Sequence, residues 1–220
     1  MTEEPTDAEL LARWRNGDAV AGRTLVERYY PGIYRFFSSK LPGEVGDLVQ
    51  STFLACIESR DTYEQRSSFK AWLFGIARNK LYAHFRHKRL RVGRTVLLDP
   101  AELSCEDLGG SPSTWLRDKD DDALLRRALP RIPLELQLIL ELYLCEGLTG
   151  AALAEVMDMS ENTLRSKFRR AKELLRKQVA ELDRSPAADQ TLASISTWLD
   201  DMQEERDRRY PQLADDDDDD

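Results

Sequence analysis

Apolar residues in the first part of the chain recur at intervals of three and four, the spacing of one helix face. The pattern predicts a helix over Ala8–Asn16, with Asp7 as N-cap and Gly17 as stop. A second helix is predicted over Ala19–Lys40, with a kink or break at Pro31. Its residues expected to face a core are Leu25, Val26, Tyr29, Ile33, Phe36 and Phe37. No convincing run alternates with period two, so the expected fold class is all-α.

Two more helices are predicted before the pattern changes. One covers Asp47–Ser59, with an apolar stripe formed by Leu48, Val49, Thr52, Phe53, Cys56 and Ile57. The other begins at a cap provided by Ser67 or Ser68 and runs to about Arg91. The polar residues 60–68 between them indicate an exposed loop.

The remainder of the chain indicates a second domain. Residues 92–122 are acidic and contain glycine and proline, which is typical of a flexible linker. Leu134–Cys145 is apolar on nearly every side, as expected for a central buried helix. We therefore expect two small helical domains, 1–91 and 123–182. Residues 183–220 form an acidic C-terminal extension, expected to be partly helical and then disordered.

Residues 149–177 have the spacing of a helix-turn-helix. Thr149–Met157 predicts a short helix, and Asp158 stands in the turn, where a residue must tolerate positive φ. Ser160 is the expected N-cap of the second helix, whose inward face is Leu164, Phe168 and Leu175. The outward residues that could contact duplex DNA are Asn162, Arg165, Ser166, Lys167, Arg169 and Arg170. The alternative is a solvated charged face on an ordinary bundle helix.

The charge map indicates a second nucleic-acid surface. Ser67–Arg94 contains eight lysine or arginine residues and no acidic residue. Aromatic residues are interleaved with these cations, a combination that suits single-stranded DNA: Phe69, Trp72, Phe74, Tyr82 and Phe85. The alternative is that Trp72, Leu73, Ile76 and Leu81 pack in a core. The total net charge of −8 conceals this surface, because Trp198–Asp220 alone holds eleven acidic and three basic residues.

Several other functions are disfavoured. The three cysteines are far apart and form neither a disulfide framework nor a zinc motif, which favours a reducing cytoplasm. No signal peptide or membrane span is indicated. His84 and His87 have no acidic or cysteine partner nearby, so we expect neither a metal nor a cofactor. Without a glycine-rich phosphate loop or a catalytic cluster, an enzyme is the poorest interpretation.

Three segments together resemble the extracytoplasmic-function (ECF, group 4) sigma factors of the sigma-70 family. They are DLVQSTFLACI at 47–57, RSSFKAWLFGIARNKLYAHFRHKR at 66–89 and LPRIPLELQLILELYLCEGLTGAALAEVMDMSENTLRSKFRRAKELLRK at 129–177. The resemblance implies a sigma region 2-like domain at 1–91 and a region 4-like domain at 123–182. It implies a non-catalytic factor that binds core RNA polymerase, reads the −35 and −10 promoter elements and nucleates strand opening.

The resemblance also implies roles for individual residues. Asp47, Leu48 and Gln50 are the candidates for docking on the clamp of the polymerase large subunit, and the flap is a second expected polymerase contact. Ser67, Phe69, Lys70 and Trp72 are candidates for the separated −10 strand, and Asn79, Lys80, His84 and Arg86 lie toward duplex DNA. The helix-turn-helix is the expected −35 reader. An anti-sigma factor and autoinhibition by the C-terminal extension are open as means of control. The competing hypothesis is an autonomous helix-turn-helix regulator with a ligand-sensing N-terminal domain.

Overall fold

The computed structural model describes residues 4–41, 45–65, 67–91, 103–105, 107, 127–148 and 150–182. Within these ranges lie seven α-helices: α1 (Asp7–Arg15), α2 (Ala19–Ser38), α3 (Val45–Ser59), α4 (Phe69–Arg91), α5 (Leu134–Glu146), α6 (Gly150–Met157) and α7 (Glu161–Leu182). A short 3-10 turn, Leu129–Arg131, precedes α5. The described residues contain no strand beyond one isolated bridge between Ser104 and Pro133, so the all-α prediction is confirmed for them.

The start of α1 differs from the prediction by one residue. Thr6, not Asp7, is the N-cap, and its hydroxyl accepts from the backbone N–H of Glu9 while the Glu9 carboxylate accepts from the Thr6 N–H. This reciprocal capping box satisfies two helix-end donors at once. Gly17 ends the helix with φ at +94°, as predicted.

Helix α2 is continuous through Pro31, so of the predicted kink or break the break is absent. It crosses α1 so closely that a Cβ on Gly22 would come within 2.4 Å of the Trp14 indole nitrogen. Its core residues are those that the periodicity predicts: Leu25, Ile33, Phe36 and Phe37 are buried, and Val26 and Tyr29 are partly buried. The helix ends at Ser38, two residues before the predicted end.

Helices α3 and α4 complete the first domain. Ser68 caps α4, as one of the two predicted alternatives, through its hydroxyl, which accepts from the Ala71 N–H at 3.2 Å. One residue of the predicted α3 stripe is wrong: Ile57 is 44% exposed and lies on the outer side of the helix.

The second domain follows its predicted pattern. The described apolar residues of α5 from Leu134 to Tyr143 are buried on all sides, and Cys145 is partly buried. Asp158 has φ at +56° in the turn between α6 and α7, and the Ser160 hydroxyl accepts from the Thr163 N–H at 3.2 Å. Leu164 and Leu175 are buried and Phe168 is partly buried, so the inward face of α7 is confirmed.

The two domains share one continuous core, with α6 packed against α4. The Lys40 ammonium group, at the end of the first domain, is completely buried and paired with Glu141 of α5. Residues 103–105, within the segment predicted as a linker, lie beside Lys40, because the Cys105 thiol is 3.9 Å from the Lys40 carbonyl. The Leu103 carbonyl accepts from the Leu134 N–H at 2.7 Å. The predicted C-terminal extension, 183–220, and the predicted linker apart from 103–105 and 107 lie outside the described residues.

Candidate functional site

The outward side of α7 presents polar and basic groups at the surface. Asn162, Ser166, Arg169 and Arg170 are exposed, and Arg165 and Lys167 are half-buried. The Lys167 ammonium group is already paired with the Glu135 carboxylate at the start of α5. Of the six predicted residues, the four exposed ones are therefore the most accessible to DNA. Two of them, Asn162 and Ser166, lie in the N-terminal turns of α7.

The predicted surface on α4 divides into a buried and an exposed part. Among the aromatic residues, Phe69, Phe74 and Phe85 are core residues, which corrects the interpretation of all five rings as a stacking surface. Helical spacing explains the error. Residues three and four apart share one face of a helix, and this holds equally for a core face and for a solvent-facing cationic face, so spacing alone does not assign a ring to either. Phe69 contacts the rings of Tyr29 and Tyr63 instead of solvent. The predicted polar residues remain accessible in varying degree: Asn79 and Arg86 are exposed, while Ser67, Lys70, Lys80 and His84 are half-buried.

The loop between α3 and α4 is held by an aromatic stack. The Tyr63 ring lies on the half-buried Trp72 ring with centroids 4.3 Å apart and an interplanar angle of 14°. Its hydroxyl donates to the Ser67 carbonyl, and burial raises the pKa of Tyr63, so the group remains a donor. Trp72 is thus an aromatic face at the junction of loop and helix, next to Lys70. Sequence reasoning named Trp72 but missed Tyr63.

The outer face of α3 combines polar and apolar groups. Asp47 and Gln50 are exposed, as docking requires, whereas Leu48 is only 8% exposed and packs inward with Val49, which corrects its predicted docking role. Leu54 and Ile57 continue the exposed face, at 52% and 44% exposure. The positions 47, 50, 54 and 57 are spaced by three and four residues, and this spacing could have identified them.

Two tyrosines of α2 extend this face, and sequence reasoning missed both. Tyr30 is 48% exposed and stacks on Phe53 of α3, and Tyr34 is 45% exposed and stacks on Tyr30. Together, Tyr30, Tyr34, Leu54 and Ile57 are called the α2–α3 apolar face below. Large apolar side chains grouped at a surface and bordered by polar ones are typical of a protein-binding site.

Comparisons with known proteins agree on one family. Residues 25–91 match the profile of Sigma-70 region 2, and residues 122–175 match that of Sigma-70, region 4. The ECF RNA polymerase sigma-E factor of Haemophilus influenzae is 30% identical over 196 residues, covering 83% of this chain and all of the relative. The chain belongs to the ECF sigma factors. The Escherichia coli K12 sigma-E factor is 28% identical over 191 residues, with 84% of this chain and all of the relative covered.

Two solved structures share the fold. CnrH in complex with the cytosolic domain of CnrY has a TM-score of 0.57 at 22% identity, covering 80% of this chain and 97% of CnrH. The sigma factor RpoE in complex with the anti-sigma factor NepR, from Bartonella quintana, has a TM-score of 0.54 at 21% identity, covering 71% and 95%. As an ECF sigma factor, the protein is a non-catalytic subunit that directs promoter-specific initiation by RNA polymerase.

In this sigma factor, acidic groups of the region 4 domain contact cations of the region 2 domain. Lys70 of α4 donates to the Glu146 carbonyl and lies 3.2 Å from its carboxylate, which Arg35 of α2 also contacts at 3.0 Å. The Arg78 guanidinium is 3.9 Å from the Asp158 carboxylate. Part of the predicted −10 surface is therefore covered by α6 and the end of α5.

No helix among the described residues is long and apolar enough to cross a membrane. The same residues contain no group of three histidine, cysteine or acidic side chains that could hold a metal ion.

Proposed function

We propose that this sigma factor divides promoter recognition between α7, which reads the duplex −35 element, and α4 with the preceding loop, which captures the opened −10 strand. The observation that carries the proposal is that two different cationic surfaces lie on separate domains. One is an exposed helix face with a capped N-terminus, and the other borders an aromatic stack. Major-groove reading requires the first geometry, and base stacking requires the second.

The −35 role is supported by the exposed side chains at the start of α7. An arginine or asparagine there can pair bidentately with a base edge, while later cations contact phosphates. We propose Asn162, Arg165 and Ser166 for the bases and Arg169 and Arg170 for the phosphates. Lys167 must first release Glu135, so its contribution is expected to be smaller.

The −10 role is supported by Trp72 and the polar residues that flank it. We propose that a displaced base stacks on Trp72 and that Ser67 contacts the same strand, as does Lys70 once it has released Glu146. Asn79, Lys80, His84 and Arg86 would continue along the duplex. Phe69 supports this surface from below, since its ring contacts Tyr63 and Trp72 in the core. Stacking of a base on an aromatic ring contributes about 1–3 kcal/mol, enough to offset much of the cost of unstacking.

The docking role is supported by the exposed face of α3. We propose that Asp47, Gln50 and the α2–α3 apolar face bind the clamp coiled coil of the polymerase large subunit, and that the region 4 domain contacts the flap. Leu54→Glu should reduce co-purification with core polymerase at least tenfold, because it places a charge within an apolar contact. Val20→Glu is the matched control, since Val20 is 66% exposed on α2 but outside this face.

The decisive experiment is transcription in vitro with core polymerase and the full chain. Templates carry two randomised segments, at the −35 and −10 positions, and the transcribed templates are sequenced. Because Arg169 is assigned to a phosphate, Arg169→Ala is expected to weaken binding about tenfold on every −35 sequence and to lower the salt dependence of binding by about one ion. Lys177→Ala, further along α7 and 67% exposed, should change neither. Failure of the wild-type chain to bind core, or a transcript pool without base preference at either segment, would contradict the proposal.

Control by an anti-sigma factor is also proposed, because RpoE, a related fold, was crystallised with one. The α2–α3 apolar face would suit such a partner as well as it suits the polymerase. Autoinhibition by residues 183–220 is the second mode of control. A purified candidate anti-sigma factor that inhibits transcription by the wild-type chain should bind the Leu54→Glu chain more weakly than the wild-type chain. Direct binding is measured because Leu54→Glu itself impairs transcription.

A further inference from the structure

Arg15, the last residue of α1, holds the loop before α4 by three hydrogen bonds. Its Nε and Nη2 atoms donate to the Arg60 carbonyl at 3.0 and 2.6 Å, and Nη2 also donates to the Tyr63 carbonyl. The loop residues lie 45 and 48 positions further along the chain. One side chain of the N-terminal helix therefore fixes the backbone at two points of a distant loop.

The contact depends on the shape of the guanidinium group. Its donors lie in a rigid plane, so two carbonyls that share it must take up one relative position. Trp14, the preceding residue, supports the same loop from the side, because the Arg60 guanidinium lies 5.3 Å from its ring centroid. A lysine at position 15 would supply charge but no planar fork.

Tyr63 itself provides two further contacts of the loop. Its ring stacks on Trp72 and its hydroxyl bonds to the Ser67 carbonyl, as described above. Between these anchors Gln65 is exposed and has φ at +55°. For a residue with a Cβ this region costs about 1–2 kcal/mol, and it persists only where the surroundings impose it. Anchors on both sides thus hold Gln65 in this conformation.

We propose that Arg15 is a positioning residue for −10 recognition. It contacts no DNA; it orders the loop so that the tip and Trp72 meet the separated strand in one geometry. Because the loop is ordered before DNA arrives, capture of a base does not have to offset the entropy of ordering it. The inference rests on the proposed −10 role of this loop. Arg15 lies outside the matched region 2 segment, which begins at residue 25.

The test uses holoenzyme assembled from core polymerase and the full chain on the two-segment template library. Arg15→Ala should reduce base preference in the −10 segment about tenfold, as expected when hydrogen bonds from a charged donor are lost, and leave the −35 preference unchanged. Arg15→Lys should restore only a small part of the −10 preference. Arg13→Ala is the matched control, because Arg13 is on the same helix but pairs with Asp18 at the surface, 54% exposed.

Each result has one meaning. An unchanged −10 profile in Arg15→Ala would overturn the inference, and so would an equal loss in both segments, since general destabilisation affects both domains' recognition. Arg15→Lys gives the second decision if Arg15→Ala does not fold, because it keeps the charge and removes only the planar fork. A −10 profile in Arg15→Lys equal to that of the wild-type chain would overturn the inference. A wild-type chain without any −10 preference would instead reject the proposed function of the loop.

Discussion

The ammonium group of Lys40 has no exposure to solvent, and its charge is balanced by a carboxylate from the other domain. Glu141 is itself held by the Gln137 side-chain amide at 2.9 Å, and Lys40 also donates to the Phe36 carbonyl at 2.7 Å. A buried ion pair adds little net stability compared with an apolar pair, but removal of one partner leaves an uncompensated charge. Replacing one partner of the Lys40–Glu141 pair is therefore expected to cost far more stability than replacing both.

Glu141→Leu should lower the free energy of unfolding by about 3–5 kcal/mol, because Lys40 then remains buried without a counter-charge. The double variant with Lys40→Met should recover much of this loss, since two apolar side chains need no compensation for desolvation. Urea denaturation of the three chains measures both effects. Lys177→Met, which breaks an exposed pair with Glu181, should change stability by less than about 0.5 kcal/mol. Equal losses in the single and double variants would argue against the pairing.

Cysteine ionisation gives a second prediction at this scale. Burial raises the pKa of Cys56 to about 12, whereas the thiol in an unfolded chain titrates near 9. The folded chain therefore keeps the Cys56 proton to higher pH than the unfolded chain does. The stability that the buried neutral thiol contributes is present below pH 9 and is lost as pH rises from 9 toward 12. Native Cys56 should react with iodoacetamide far more slowly than the unfolded chain at pH 8. Mass spectrometry of the peptide that contains Cys56 measures the rate of alkylation. Equal rates in the folded and unfolded chains would contradict the prediction.

At the scale of elements, the turn between α6 and α7 decides how the recognition helix is presented. Asp158 adopts positive φ there, and Ser160 caps the helix that follows. Both features orient α7 relative to α6, which itself packs on α4. A change in this turn is expected to affect −35 recognition before it affects the rest of the molecule.

Asp158→Gly should preserve or slightly raise stability, because glycine adopts this conformation without a Cβ penalty. Asp158→Val should lower stability by about 1–2 kcal/mol and weaken −35 recognition, because a β-branched side chain is strained at positive φ. Thermal unfolding and transcription from the template library measure the two effects. A valine variant as stable as the glycine variant would contradict this account.

Helix existence could be predicted from the sequence because apolar spacing and caps are local signals. Ser68 caps α4, and Gly17 and Asp158 adopt positive φ at turns, as their chemistry favours. The observed helix ends differ from the predicted ones by only one or two residues. The face of each residue was less predictable. Phe69 and Leu48 were read as contact residues and are buried, whereas Ile57 was read as buried and is exposed. Which side of α3 or α4 faces a neighbour depends on packing between helices, and a single chain's periodicity does not specify it.

Contacts between distant segments were the least predictable. Nothing local to Lys40 indicates Glu141 as its partner, and nothing local to Arg15 indicates the carbonyls of Arg60 and Tyr63. Tyr30 and Tyr34 were missed for a related reason, because their exposure follows from where α3 crosses α2. The candidate DNA-contacting residues of α7, in contrast, could be named from charge and helical spacing, whereas the −10 candidates on α4 were named from the family resemblance.

At the scale of the whole molecule, charge is distributed so that acidic segments accompany basic surfaces. Within the described residues, Glu146 contacts Lys70 and Asp158 lies near Arg78, so part of the proposed −10 surface is neutralised by the region 4 domain. Beyond them, residues 183–220 contain thirteen acidic residues and four arginines. A tethered polyanion competes with DNA for the same cations at close range, and salt screens this competition over about 10 Å at 0.1 M.

Deletion of residues 183–220 should therefore raise the affinity of the free chain for duplex DNA about tenfold at low salt. The difference should vanish at ~0.5 M salt, because salt then screens the attraction of the cations both to DNA and to the extension. Fluorescence anisotropy across a salt series measures this. A chain of full length with its six terminal aspartates changed to asparagine separates charge from length, and a partial gain is expected because seven other acidic residues remain in the extension. Equal affinities of the full and shortened chains at low salt would mean that the extension does not cover the DNA-binding surfaces. A gain that persists at high salt would indicate exclusion by volume rather than by charge.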